Sequence, residues 1–173
     1  MKNKNLKIAL IWSVPKWKEI ENFIDWKTEI KNKIFEINEK IEILTPDDFK
    51  GDFSDKKQIF WFSSNMLQKS DVIICQTEKK LWLWTAHEML MWKVFWKKII
   101  SIVSKNSDYR KKNLQIWDQI VEDRIHSFLW SISDEIIEKI WDLDLEILNP
   151  EKNNSEFSEI VVDSIDYYLD KIK

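Results

Sequence analysis

The sequence predicts an α/β fold: a single domain in which a parallel sheet is flanked by helices on both faces. Three observations predict it. Four short, nearly continuous apolar runs lie at residues 7–11, 41–44, 72–75 and 98–103, as expected of strands buried on both faces. The segments between them carry apolar residues at helical spacing, and strands alternating with helices build a parallel sheet through crossovers. At 173 residues the chain is long enough to bury a sizeable core and short enough to be one domain.

Residues 7–11 form the first strand, and Trp12-Ser13-Val14-Pro15 the loop after it, with Pro15 suited to the first position of a helix. Ile20, Phe23 and Ile24 share one helix face. Asp25-Trp26 breaks the pattern, and Ile30, Ile34, Ile37 and Ile41 resume it, with Thr28 as the candidate cap. Residues 41–44 are the second strand, closed by Thr45-Pro46. A polar connection at 47–55 precedes an amphipathic helix at 59–67. Residues 72–75 are the third strand, 76–83 the loop at its carboxyl end, 85–95 a helix and 98–103 the fourth strand. Beyond this point the periodicity fades. Residues 104–116 are polar and basic, suited to a lid or a partner surface. Residues 121–128 fit helix or strand, and 132–140 a short helix or an edge strand. Residues 142–155 form a charged connection, and 157–172 a closing helix with Ile160, Val161, Ile165 and Leu169 on one face.

Bulk properties exclude several classes. A formal charge of -3 argues against a general nucleic-acid binder. Cys75 stands alone in an apolar strand, so it reads as a core residue in a reducing compartment, with no disulfide within the chain. No apolar run approaches the length of a membrane span. The basic, then apolar start, MKNKNLKIALI, lacks a long hydrophobic region and reads as a strand rather than a signal peptide. A cytoplasmic protein is expected. His126 has no second His or Cys at ligand spacing, so no metal site is expected, and no cofactor motif is present.

One anomaly runs through the chain. At roughly 7% glycine, a domain of this length carries about 12, but this one has Gly 1 and Trp 11. With one glycine, an α/β chain has almost no residue able to take a positive φ without strain. We expect most or all of these tryptophans to be glycine in the cell, since some bacterial lineages read UGA as glycine where another code reads tryptophan. Trp12 would then open the first loop, Asp25-Trp26 would become an Asp-Gly turn, and Trp96, Trp130 and Trp141 would end elements. The ordinary alternative is a tryptophan-rich surface for stacking on sugars or nucleotides.

The chemistry centres on residues 81–103. Thr85-Ala86-His87-Glu88 has the spacing of a capping box, in which Thr85 caps a helix and Glu88 reaches back. That is the plain reading. A carboxylate in a first helical turn is also held ionised by the N–H groups there, and at the rim of a sheet it is suited to attack an anomeric carbon. His87 points to another helix face. Asp71 reads as structural, Arg110 as a phosphate ligand or a solvated charge, and Asp123-Arg124 as an ordinary ion pair.

With glycine at the tryptophans, residues 81–100 read L-G-L-G-T-A-H-E-M-L-M-G-K-V-F-G-K-K-I-I. This resembles the nucleoside 2-deoxyribosyltransferase-like superfamily: a glycine-containing loop, a glutamate shortly after, a helix with a small residue, then Gly-Lys and an apolar strand. Residues 7–13 are similar to the family's first strand and Gly-Ser loop, and Ser70-Asp71-Val72-Ile73-Ile74 to its third strand. His126-Ser127-Phe128-Leu129 is similar to a less characterised branch.

The resemblance implies a flavodoxin/Rossmann-like fold, a homodimer or larger homo-oligomer, and cleavage of the N-glycosidic bond of a nucleoside or nucleoside 5′-monophosphate, with transfer of the sugar to another base or to water. It implies Glu88 as nucleophile and Glu78 as the nearest candidate for a second carboxylate. Trp12, Ser13, Gln76, Trp82, Trp84 and Thr85 would line the substrate site. No metal and no organic cofactor is implied, and the partner is a small-molecule nucleoside or nucleotide, not nucleic acid or membrane. Two rivals remain: a non-catalytic nucleotide sensor in which Glu88 is only a cap, and a phosphoribohydrolase, which normally carries a longer Gly-Gly-x-Gly-Thr run.

Overall fold

The computed structural model describes residues 5–12, 26–52, 54–77, 83–111, 114–116, 119–121 and 124–152. Its elements begin with β1 (Lys7–Trp12), α1 (Trp26–Ile37), β2 (Glu42–Leu44), α2 (Lys56–Lys69), β3 (Val72–Gln76), α3 (Leu83–Val94) and β4 (Lys98–Ile102). There follow β5 (Arg110–Lys111), β6 (Leu114–Ile116), β7 (Gln119–Val121), β8 (Arg124–Ile125), α4 (Ser127–Ile132) and β9 (Glu135–Ile137). Five strands make the main sheet in the order β2-β1-β3-β4-β9, and every pair is parallel. The expected α/β architecture is what the chain adopts.

Alternation along the strands builds two cores. Ile8, Leu10, Ile74, Ile100 and Ile102 face α1, where they meet Trp26, Ile30 and Ile34, and where Ile140, Leu143 and Leu148 complete the layer. Ala9, Ile11, Ile73, Cys75 and Ile99 face the other way, against Met66 and Leu67 of α2, Met89 and Trp92 of α3, and Leu129 and Ile132 of α4. Period-two alternation in strands that are buried throughout, as β3 and β4 are, accounts for their nearly continuous apolar runs.

Polar side chains fix the element ends. The Asp55 carboxylate caps α2, accepting from Lys57 N at 2.9 Å and Gln58 N at 3.2 Å. The Ser70 hydroxyl closes it by donating to Leu67 O at 2.7 Å. Asp71 acts structurally, as expected: its Oδ2 accepts from Lys7 N at 3.0 Å while its own N donates to Lys7 O at 2.8 Å, which pins the starts of β1 and β3 together.

Several boundaries differ from expectation. α1 is described from Trp26, which is buried in the core, so Thr28 lies inside the helix and is not its cap, while Asp25 of the expected Asp25-Trp26 turn lies outside the described residues. The basic stretch after β4 folds as two antiparallel pairs, β5 with β8 and β6 with β7. Of the alternatives for 132–140, the edge strand is realised, as β9. The expected helices at 20–24 and 157–172 lie outside the described residues. Among the described residues, no helix is long and apolar enough to cross a membrane.

Candidate active site

Sheet order locates the crevice. The chain passes from β1 to β2 on one side and then crosses back to β3 on the other, so the direction of winding reverses between β1 and β3. In doubly wound sheets ligands bind beyond the carboxyl ends of the strands at that switch point. Trp12 and Gln76, the last residues of the two strands, are register partners there.

Gln76 is half-buried, and its Oε1 is sealed from solvent without a hydrogen-bond partner among the described residues. A buried acceptor left unpaired carries a penalty of about 1–3 kcal/mol, which a ligand donor would relieve. The next residue is held firmly. Thr77 N and Thr77 Oγ1 each donate to Ile102 O at 3.0 Å, and the Ser107 hydroxyl donates to Thr77 O.

α3 carries Glu88. The helix starts two residues earlier than the Thr85 boundary, so Thr85 is its third residue, buried, and not its cap. Trp84 lies in the first turn of the helix rather than in the loop. Glu88 falls in the second turn, beyond the four N–H groups that a helix start leaves unbonded. The capping box is therefore not formed, and the helix end is not what would hold this carboxylate ionised.

Packing of the neighbours places it instead. Thr85, Met89, Trp92 and Lys93 form the buried stripe of α3, and Glu88, between them in sequence, stands half-buried at the stripe's edge. Its charge reaches the strand beneath. Burial foremost, and the Glu88 carboxylate in addition, push the Cys75 thiol far above its ordinary range. Cys75 is the penultimate residue of β3, so the Glu88 charge is felt at that strand.

Glu88 also lines a cleft between α2 and α3, with Phe60, Ser64, Leu67, His87, Met91 and Trp92. The cleft holds about 10 Å³, room for roughly one water and far from the ~300 Å³ of a small-ligand pocket. The indole of Trp92 forms part of its wall, and Trp92 Nε1 is buried with no hydrogen-bond partner among the described residues. His87 shares this cleft with Glu88, although adjacent helical positions point apart. A larger hollow of about 710 Å³, lined by Asn5, Leu6 and residues 35–40, lies at the amino end of β1, the opposite pole from Glu88.

The far end of α3 is anchored in the core. Lys93 Nζ lies 2.5 Å from Asp134 Oδ1, and both side chains are 1% exposed. Asp134 Oδ2 accepts from Ile99 N at 2.7 Å, and Lys97 Nζ donates to Ser70 O at 2.7 Å. Burial lowers the Lys93 pKa, and the bond to Asp134 opposes that shift.

Of the expected site residues, Gln76 and the backbone of Trp12 stand at the carboxyl ends of β3 and β1, Thr85 is buried in α3, and Glu88 lines the cleft between α2 and α3. Ser13, Glu78 and Trp82 lie outside the described residues. Arg110 is engaged by Glu138, 2.9 Å from NH1 to Oε2, and the bond from Arg110 holds the Glu138 carboxyl below its usual range. His126 caps α4, its Nδ1 accepting from Phe128 N at 3.2 Å, and its ring meets Tyr109 edge-on at 5.6 Å. Among the described residues, no group of three or more His, Cys, Asp or Glu could hold a metal ion. Sequence reading missed Thr77 and Ser107, whose bonds are long-range, and it missed the Lys93–Asp134 anchor. Lys93 did carry a signal, since it stands four residues after Met89 on the inward stripe.

No family pattern matches the sequence, and no curated protein matches it. Solved structures do match. A conserved protein from Enterococcus faecalis is 12% identical, with 84% of this chain and 98% of that chain covered and a TM-score of 0.58. A 2-deoxyribosyltransferase from the psychrotolerant bacterium Bacillus psychrosaccharolyticus, described as a biocatalyst for nucleoside synthesis, is 10% identical, with 82% and 95% covered and a TM-score of 0.55. A CMP N-glycosidase from Clostridium botulinum is 15% identical, with 78% and 91% covered and a TM-score of 0.44. The chain shares its fold with the first two.

Proposed function

We propose that this chain cleaves or transfers at the N-glycosidic carbon of a nucleoside or nucleoside 5′-monophosphate, with Glu88 as the nucleophile. The observation that supports the reading is Glu88 itself: a half-buried carboxylate in the second turn of the helix that follows β3, near enough to Cys75 of that strand to act on its thiol, on a fold shared with a deoxyribosyltransferase. A Glu88 oxygen bonds to the anomeric carbon as the bond to the base nitrogen breaks. The base leaves with that electron pair and takes up a proton. Water or a second base then attacks the glycosyl ester, takes the sugar and returns Glu88 as a carboxylate. Gln76 would accept a hydrogen bond from the substrate at the crevice floor, and Glu78 is the candidate second carboxylate that orients substrate or delivers the proton. Ser13, Thr85 and the backbone at 12, 82 and 84 complete the proposed site, and a homo-oligomer belongs to the same proposal.

The sensor alternative treats Glu88 as a helix cap. A second-turn position removes that duty from Glu88, which favours the catalytic reading. The experiment is base release from a panel of nucleosides and 5′-mononucleotides, on the protein made with glycine at the eleven tryptophan sites, with and without Glu88→Ala. Release that survives Glu88→Ala removes Glu88 from the chemistry, and binding without turnover favours the sensor.

A further inference from the structure

The end of α3 has a geometry that tryptophan does not suit. Trp96 N donates to Lys93 O at 3.0 Å, and Lys97 N donates to Trp92 O at 3.1 Å. This pair of bonds is the Schellman closure of a helix, and its C′ residue, here Trp96, must be left-handed. Trp96 has φ 59°, and among the described residues it is the one non-glycine with a positive φ. The left-handed region drives Cβ toward the following carbonyl oxygen, which is why glycine normally occupies this position.

One turn earlier, Trp92 is buried with its indole N–H unbonded among the described residues, although buried indoles normally find an acceptor. Trp61, Trp130 and Trp141 are 65%, 70% and 64% exposed, so their rings add little to the core. Trp130 and Trp141 lie within α4 and a short 3-10 turn rather than at element ends. Trp26 packs as an ordinary core residue would. The weight therefore rests on position 96, on position 92 and on the ratio of Gly 1 to Trp 11.

We infer that position 96, and with it the other ten positions written as tryptophan, is glycine in the protein its own cell makes, through a genetic code that reads UGA as glycine. The inference goes beyond the proposed activity and does not rest on it. It has a consequence for the site. Trp92 lines the cleft that holds Glu88, and glycine at position 92 removes its ring from the cleft wall.

Two measurements test it. Peptide masses of the protein purified from the organism carrying the gene should show glycine at position 96 and at the other ten; tryptophan at 96 overturns the inference. In the recombinant chain as written, Trp96→Gly should raise Tm by roughly 2–8 °C. Trp96→Ala should not recover that gain, because alanine keeps the Cβ that the left-handed turn excludes. A Trp96→Gly chain no more stable than the parent, or an alanine variant equal to it, counts against the inference. Peptide masses do not depend on activity, so a glycine-bearing protein that releases no base refutes the proposed function and leaves this inference standing.

Discussion

Asp134→Asn tests how the helix bearing Glu88 is held. The Asp134 carboxylate joins two elements, with Oδ1 2.5 Å from Lys93 Nζ and Oδ2 accepting from Ile99 N at 2.7 Å. Asparagine keeps the shape and can still accept from Ile99, but it removes the negative charge opposite a buried ammonium. Two ions taken from water offset their desolvation chiefly through each other, and removing one partner costs about 3–5 kcal/mol. At this chain length that corresponds to a fall in Tm of roughly 6–20 °C.

The pH dependence has a definite sign. Burial already lowers the Lys93 pKa from 10.5, and losing the Asp134 charge lowers it further. The cost of keeping the lysine charged in the folded state is fully present below that depressed value. It shrinks as pH rises toward the ordinary lysine value, because the folded protein then sheds the proton first. Thermal and urea unfolding followed by circular dichroism, at neutral pH and near pH 10, measure both effects. The double variant Lys93→Met with Asp134→Asn should recover most of the loss, and the double-mutant cycle gives the coupling. A loss under about 1 kcal/mol, the worth of an exposed pair, would show that water reaches these groups and that α3 is anchored by apolar packing alone.

Three further outcomes follow from the same geometry. Glu88→Gln should cut base release by at least ~10³-fold while Tm stays within about 2 °C, as read by product chromatography and a thermal melt. Gln76→Leu removes an unpaired buried acceptor, so it should raise stability by up to about 1 kcal/mol and raise KM about tenfold; a lower KM would mean that the amide faces no ligand. Lys98 is buried with no hydrogen bond at Nζ among the described residues, its ion-pair partner Glu135 lies 3.9 Å away, and burial lowers its pKa from 10.5. Lys98→Met should therefore stabilise the protein by about 1–3 kcal/mol at pH 7. That gain should fade as pH approaches 10.5, because the parent no longer carries the charge. Unfolding midpoints across pH measure it, and a gain that grows with pH contradicts the assignment.

β3 and β4 were legible because both are buried on both faces, so Val72 to Cys75 reads as an unbroken apolar run and Ile99 to Ile102 as one interrupted by Ser101 alone. β9 offers only Glu135, Ile136 and Ile137, too few residues to separate an edge strand from a helical turn. The arm between β4 and α4 stayed hidden for a related reason. Its strands hold two or three residues each, with Arg110, Lys111, Gln115 and Arg124 among them, and alternation needs more length than that. The start of α3 was misplaced because Thr85 and Glu88 have capping-box spacing, while Leu83 and Trp84 carry no start signal. In the site, Glu88 stood out through its context, and Gln76 through its position at a strand end. Lys93 and Asp134, 41 residues apart, meet only once the sheet exists, and no local pattern announces such a pair.

The two fixed ends around the loop at residues 78–82 have an evolutionary corollary. Upstream, Thr77 is tied to Ile102; downstream, α3 is secured through Lys93 and Asp134 near its last turn. The helix is thus held near its last turn by a tie that does not involve the residues next to Thr77. Side-chain changes between Thr77 and α3 leave both ties in place. Descendants of this chain could retune what they bind by rewriting a handful of codons there.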